Sequence, residues 1–216
     1  MTLSGETTNV RLRAATPSKF DFVGGHLAID FVNTGAHQGA DSVERLVDFG
    51  DLVAWLSEAG VLPLETAQTL RTDNMGTREA RRVLNQARAF RATLGQLLER
   101  GYAHRTIGPS IVGHINGLLN ECQCRRHIVP RDGGFAITVL HRFQRPADLL
   151  MPLANAAADV LASLDLSMIK RCKNDECMLF FYDTSKNHSR AWCSMQICGN
   201  RKKAAAHYRR WKAFAS

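Results

Sequence analysis

Two short cysteine-bearing stretches decide how this chain is read. The first is Cys172-Lys173-Asn174-Asp175-Glu176-Cys177, and the second is Cys193-Ser194-Met195-Gln196-Ile197-Cys198-Gly199-Asn200-Arg201-Lys202-Lys203. Each holds a pair of cysteines separated by four residues, and fifteen residues lie between the pairs. Zinc is held tetrahedrally by thiolates at about 2.3 Å, and a spacing of two to four residues lets one turning loop offer two sulfurs to one ion. A second such loop closes the tetrahedron. Four cysteines leave no open position for water, so the expected site is structural rather than catalytic. Two disulfides or an iron–sulfur cluster are the other readings of four cysteines. Disulfides need an oxidising compartment, and clusters usually draw on tighter spacings. With four thiols present, His188 and His207 are not needed as ligands.

Working outward, the charge changes sharply near the first pair. Residues 1–165 hold 17 Lys+Arg and 17 Asp+Glu, a net of zero, whereas residues 166–216 hold 11 basic and 3 acidic residues, the whole of the +8. Charge asymmetry of this kind marks a polyanion-binding tail on a neutral body. A helix is expected from about Asn200 to Ala213, with Asn200 as its N-cap and Gly199 allowing close approach to a sulfur. Arg201, Lys202 and Lys203 would then lie in its first turn, where cations oppose the helix dipole by ~0.3–1 kcal/mol each. An anion should compensate them. One is internal: four thiolates on a divalent cation carry −2, which Arg171, Lys173, Arg190 and Arg201 could neutralise. The other is nucleic-acid phosphate, since −2 leaves most of +8 unmatched. The candidate nucleic-acid contacts are Arg190, Arg201, Lys202, Lys203, Arg209, Arg210 and Lys212. Phe180, Phe181, Tyr182, Trp192 and Tyr208 are expected to form a small core round the metal. Trp211 reads as core or as a base-stacking side chain.

Cys198-Gly199-Asn200-Arg201, behind a Cys-x4-Cys pair, resembles the signature of the CGNR-type zinc fingers. Gly24-Gly25-His26-Leu27-Ala28-Ile29-Asp30-Phe31-Val32-Asn33-Thr34 is similar to the opening motif of the ABATE domain, which precedes that finger in the same family. The resemblance implies a transcriptional regulator of stress or ligand responses, with zinc as cofactor and DNA as partner. It divides the chain into an ABATE-like part, residues 1–165, and a finger, residues 166–216, of treble-clef-like or ribbon type ending in a basic helix.

The remaining pattern reads as α+β, helices mixed with short antiparallel strands and no βαβ rhythm. Strands are expected at Phe20–Val23, Cys124–Val129, Phe135–Phe143 and Leu179–Tyr182. Helices are expected over 42–59, 64–70, 77–100, 109–120 and 147–164. Leu27–Thr34 is open between strand and helix, and 35–39 reads as a loop. In the longest helix, Ala80, Val83, Leu84, Ala87, Phe90, Leu94, Leu97 and Leu98 form the apolar stripe. Arg81, Arg82, Arg88 and Arg91 read as its solvated side.

Asp30 and Asn33 sit among apolar residues, either lining a small-ligand pocket or tying down a turn. Cys122 and Cys124 read as inert thiols, with weak metal binding or oxidant sensing as the alternative. His26, His37, His114 and His141 show no catalytic spacing, and no nucleophile elbow, phosphate loop or dinucleotide fingerprint is present. An enzyme with an unrecognised pocket, or a finger that docks protein or RNA, are the rival readings. The opening residues, with Arg11, Arg13 and Lys19 and no apolar run behind them, read as a mobile leader rather than a secretory signal. No stretch has the ~20 apolar residues a membrane helix needs. A cytoplasmic protein is expected, and a homodimer is expected if DNA is bound tightly, because one short helix buries little surface.

Overall fold

Helix α1 (Leu27–Asn33) settles the open reading at the first motif. In this computed structural model, which describes residues 18–35, 44–121, 125–140 and 142–214, six of its seven residues are buried. His26 caps it, its ring Nδ1 accepting from the Ala28 N–H at 3.3 Å. The element is too short to be stable through its own hydrogen bonds. It persists because it packs against three others: α4 (Arg78–Tyr102), α6 (Met151–Ser163) and β4 (Phe180–Tyr182). The segment before it, Phe20–Val23, is not a strand. Phe20 enters the core, and Gly24 accepts the Tyr182 N–H at 2.8 Å.

Helix α2 (Phe49–Glu58) is much shorter than the span expected from residue 42, and side chains explain the late start. Arg88 donates to the Leu46 carbonyl at 2.6 and 3.0 Å and to the Val47 carbonyl at 3.0 Å. Asp51 accepts from the N–H groups of Val47 and Asp48, while Asp48 accepts from the Asp51 N–H. The backbone groups a helix would need there are already bonded. Arg91 holds Glu44. Arg88 and Arg91 therefore clamp this segment instead of facing solvent, whereas Arg81 and Arg82 are exposed. Gly60, at φ +73, ends the turn after α2.

Helix α3 spans Leu64–Asn74. Thr77 caps α4 through the Ala80 N–H at 3.1 Å, and all eight residues of the anticipated stripe are buried along α4. Helix α5 is Pro109–Asn120, with proline in its first turn, where a missing N–H costs nothing. β1 (Arg125–Arg131) and β2 (Gly134–Leu140) form an antiparallel hairpin pairing Ile128 with Ile137 and Pro130 with Phe135. Only Asp132 and Gly133 form its turn, with Gly133 at φ +82. The apolar stretch that follows splits into a 3-10 turn, Pro146–Leu150, and α6. Pro152 has no N–H to offer the carbonyl one turn back, so one continuous ladder cannot run through it.

A second antiparallel pair, β3 (Ile169–Arg171) with β4, leads to the cysteines, and α7 (Asn200–Phe214) closes the described chain. The architecture is thus mixed helices with short antiparallel strands. The main core runs from Phe20 through Val160 and includes Ile169 and Phe180. A smaller core gathers the four cysteines, Leu179 and Phe181, with Val23 and Trp192 half-buried against it. Successive strand residues face opposite ways, so Phe180 and Tyr182 turn to the main core and only Leu179 and Phe181 face the cysteines. Tyr208 and Trp211 join neither core: they are 60% and 61% exposed. His37, His141, Cys122, Cys124, residues 1–17 and positions 36–39 lie outside the described residues.

Candidate metal centre

The first cysteine pair lies in the turn of the β3–β4 hairpin. The Cys172 N–H continues the ladder to the Leu179 carbonyl at 3.0 Å, and the Cys177 N–H closes back on Asn174 at 2.8 Å. The second pair is held by a single wide turn, Met195–Gly199, capped by Ser194. The Cys198 and Gly199 N–H groups both reach the Ser194 carbonyl at 3.0 Å, and the Ser194 hydroxyl accepts from the Ile197 N–H at 3.3 Å. The two loops are joined by the Lys173 N–H donating to the Ala191 carbonyl at 2.9 Å.

All four thiols are buried and free of disulfides, and their sulfurs lie within 4.8 Å of one another. Cys177 and Cys193 are 3.7 Å apart, and Cys193 and Cys198 3.6 Å. A tetrahedron with ligands at about 2.3 Å has edges of about 3.8 Å. The spacing therefore suits four sulfurs round one zinc ion. Electrostatics agrees. Bonding to Cys177 and burial push the Cys193 thiol up, burial raises Cys172, and the hydrogen bond from Cys193 lowers Cys177 to about 5. The crowded cluster favours one thiolate among thiols until a cation compensates the rest. Asn174, buried, donates its side-chain N–H to Cys198 Sγ at 3.5 Å. Sequence reasoning passed over this residue; its place inside the Cys-x4-Cys turn was the available signal.

At Gly199 the nearest side chains are Met195, half-exposed and flexible, and Trp192, not a cysteine sulfur. A Cβ there would lie 2.7 Å from Met195 Sδ and 3.3 Å from Trp192 Cδ1. Asn200 is not an N-cap. It has αR backbone angles, because the helical path already begins at Met195 under the Ser194 cap. Arg201 to Lys203 therefore lie more than a turn past the first free N–H groups, and the dipole penalty expected for them largely disappears. Lys202 pairs with Asp175 at 2.5 Å, and Arg201 approaches Glu176 at 3.9 Å. Lys203 is exposed. Arg209 and Arg210 are on the α7 backbone, their side chains outside the description, and Lys212 is exposed on the same helix.

Arg190 is occupied inside the protein. Its guanidinium lies 4.4 Å over the Phe181 ring and donates to the carbonyls of Trp192 and Val23 at 3.0 Å, and to that of Cys193. Arg171 pairs with Glu99 on α4 and covers the Phe180 ring at 4.9 Å. Both guanidiniums are thus engaged by carbonyls, a carboxylate and aromatic rings, Arg190 beside Cys193 and Arg171 toward the body. Buried Asp183 accepts from Lys170 at 2.6 Å, from Ser185 and from the Arg190 N–H. Burial alone would raise its carboxyl, but these donors hold it well below the usual range. This hub was not anticipated, although Asp183-Thr184-Ser185 has the Asx-turn pattern.

Asn33 binds the body to the finger directly, whereas Asp30 holds Gly24, whose carbonyl accepts the Tyr182 N–H. Asn33 donates to the Phe180 carbonyl and accepts from the Phe180 N–H, both at 2.9 Å. Asp30 Oδ1 accepts from the Gly24 N–H at 2.7 Å. Burial pushes the Asp30 carboxyl up to about 6 against the pull of the Gly24 and Val23 N–H groups.

Residues 25–164 match the profile of the ABATE family, described as "Putative stress-induced transcription regulator", and residues 168–211 match the CGNR zinc finger. The first match covers more than half the chain, and the chain belongs to the ABATE family. The family description names a regulator, not an enzyme, and the four-cysteine cluster lies in the finger region. Comparison with curated proteins returned no match. Among the described residues no helix is long and apolar enough to cross a membrane.

Proposed function

We propose that the protein is a transcriptional regulator that binds duplex DNA through α7, with zinc at Cys172, Cys177, Cys193 and Cys198 fixing the start of that helix. The supporting observation is the exposure of α7: every described side chain from Lys203 to Lys212 faces solvent, in the segment that carries the chain's whole excess of positive charge. An amphipathic helix of a folded domain would bury one face. Lys203, Arg209, Arg210 and Lys212 are the leading phosphate contacts. Lys202 and Arg201 contribute if DNA displaces Asp175 and Glu176, whereas Arg190 is reserved for the fold. Zinc carries no reaction here; its chemistry is cross-linking two loops. The division at residues 165 and 166, a cytoplasmic location and a homodimer belong to the same reading. The body is proposed to pass a small-ligand signal to the finger through Asn33, which bonds Phe180, and through Asp30, which holds Gly24 against Tyr182.

The test is a salt titration of duplex DNA binding by zinc-loaded protein and by a Lys203→Ala/Arg209→Ala/Arg210→Ala variant. Each lost phosphate contact should reduce the log–log salt slope by about 0.9. A variant with wild-type affinity and slope would remove α7 from the interface. The exposed pair Tyr208 and Trp211, with ring centroids 6.0 Å apart, favours a second reading in which α7 stacks unpaired bases. Preference for single strands over duplex in the same titration would select it.

A further inference from the structure

The β1–β2 hairpin is unlike the rest of the body. Every residue from His127 to Phe135 is exposed, and no described residue of either strand belongs to a core. Two strands alone are marginal in water. Their exposed face is also the wrong kind for solvent. The register pairs Ile128 with Ile137 and Pro130 with Phe135, and alternate positions share a face. Ile128, Ile137 and Phe135 are 71%, 68% and 79% exposed. One face is thus apolar from mid-strand to tip, where Pro130 and Phe135 stand side by side just before the Asp132-Gly133 turn.

The charge on this ribbon is equally distinct. Residues 125–140 contain Arg125, Arg126 and Arg131 against Asp132 alone, a net of +2, whereas the rest of residues 1–165 net −2. A basic partner is excluded by this charge, and a second copy would bring like charges together. Duplex DNA fits both features. β-Ribbons enter DNA grooves. Proteins that bind the minor groove combine arginines with apolar wedges such as Phe, Ile and Pro, which part a base step and kink the duplex by about 20–90°.

We infer that the β1–β2 hairpin is a second DNA-binding element, an arm whose apolar face lies in the minor groove, whose arginines meet phosphates, and whose Pro130–Phe135 tip wedges a base step. The inference rests on the DNA-binding reading of α7 but makes its own demand: the bound DNA must be bent.

The experiment measures end-to-end energy transfer in a doubly labelled duplex on adding zinc-loaded full-length protein, for wild type, Phe135→Ala and Phe135→Trp. Sedimentation of each variant without DNA is run alongside. Wild type should bend the duplex by tens of degrees. Phe135→Ala should bind but leave it nearly straight. Phe135→Trp, which keeps a wedge, should bend it. Binding with no bend by wild type, or equal bends by all three, overturns the arm while leaving the α7 reading intact. Loss of a dimer in Phe135→Ala overturns it in favour of contact between copies. Failure of wild type to bind any duplex overturns both readings.

Discussion

At the scale of single residues, Asn33 carries more of the architecture than its size suggests. It satisfies both backbone groups of buried Phe180, three residues after Cys177 of the zinc-bearing turn. Asn33→Ala would leave a buried donor and a buried acceptor unpaired, each costing ~1–3 kcal/mol. Denaturant unfolding of the zinc-loaded variant should show a loss of ~2–5 kcal/mol; a loss near zero would mean β4 is held elsewhere. Asp30 makes a pH-dependent contribution whose sign is unusual for a carboxylate. Its folded value of about 6 lies above the ordinary 3.8, so the folded state keeps its proton while the unfolded state has lost it. Stability from this group is present below about pH 4, is lost as pH rises toward 6, and stays lost above, by up to about 3 kcal/mol. Carboxyl NMR should find Asp30 titrating near 6, and Asp30→Asn, which keeps an oxygen for Gly24, should flatten stability between pH 4 and 6. A titration near 4 would contradict the burial argument. Asn174→Ala should weaken zinc binding by ~10–100-fold through loss of the donor to Cys198, measured by chelator competition. An unchanged affinity would make Asn174 a packing residue only.

At the scale of elements, the cap at Ser194 decides where the α7 path begins. Ser194→Ala removes the hydroxyl that accepts the Ile197 N–H and should cost ~1 kcal/mol. Because the turn also carries Cys193 and Cys198, the cost should appear as weaker zinc binding, read by chelator competition. How far the elements were legible in the sequence follows from the kind of signal each gave. The stripe on α4 was complete because burial on one face of a long helix leaves a 3.6-residue period. The four thiols were legible from spacing alone. The start of α2 was not, because Arg88 and Arg91 reach it across more than forty residues, and no local pattern records such a bond. The aromatics misled for a similar reason. Phe180 and Phe181 are adjacent in sequence but face different cores, and Tyr208 and Trp211, at a spacing that usually means burial, are left on the outside.

At the scale of the molecule, the finger and the body are bonded rather than tethered. Ile169 and Phe180 belong to the main core, Arg171 pairs with Glu99, Arg190 holds Val23, and a Cβ added at Gly101 would meet Ile169 Cδ1 at 3.2 Å. Zinc should therefore stabilise the body as well. Binding energy for structural zinc is of order 10 kcal/mol and is largely folding energy, so stripping the metal should lower the melting temperature of the body helices as well as unfold the finger. On the proposed reading, one zinc ion on four cysteines builds the surface that holds DNA. The most direct test is a chelator titration in which zinc release and fluorescence anisotropy of a labelled duplex are read in the same cuvette. One zinc per chain is expected, with DNA affinity lost in step with the metal and restored on adding zinc back. Full DNA affinity in zinc-free protein would contradict it.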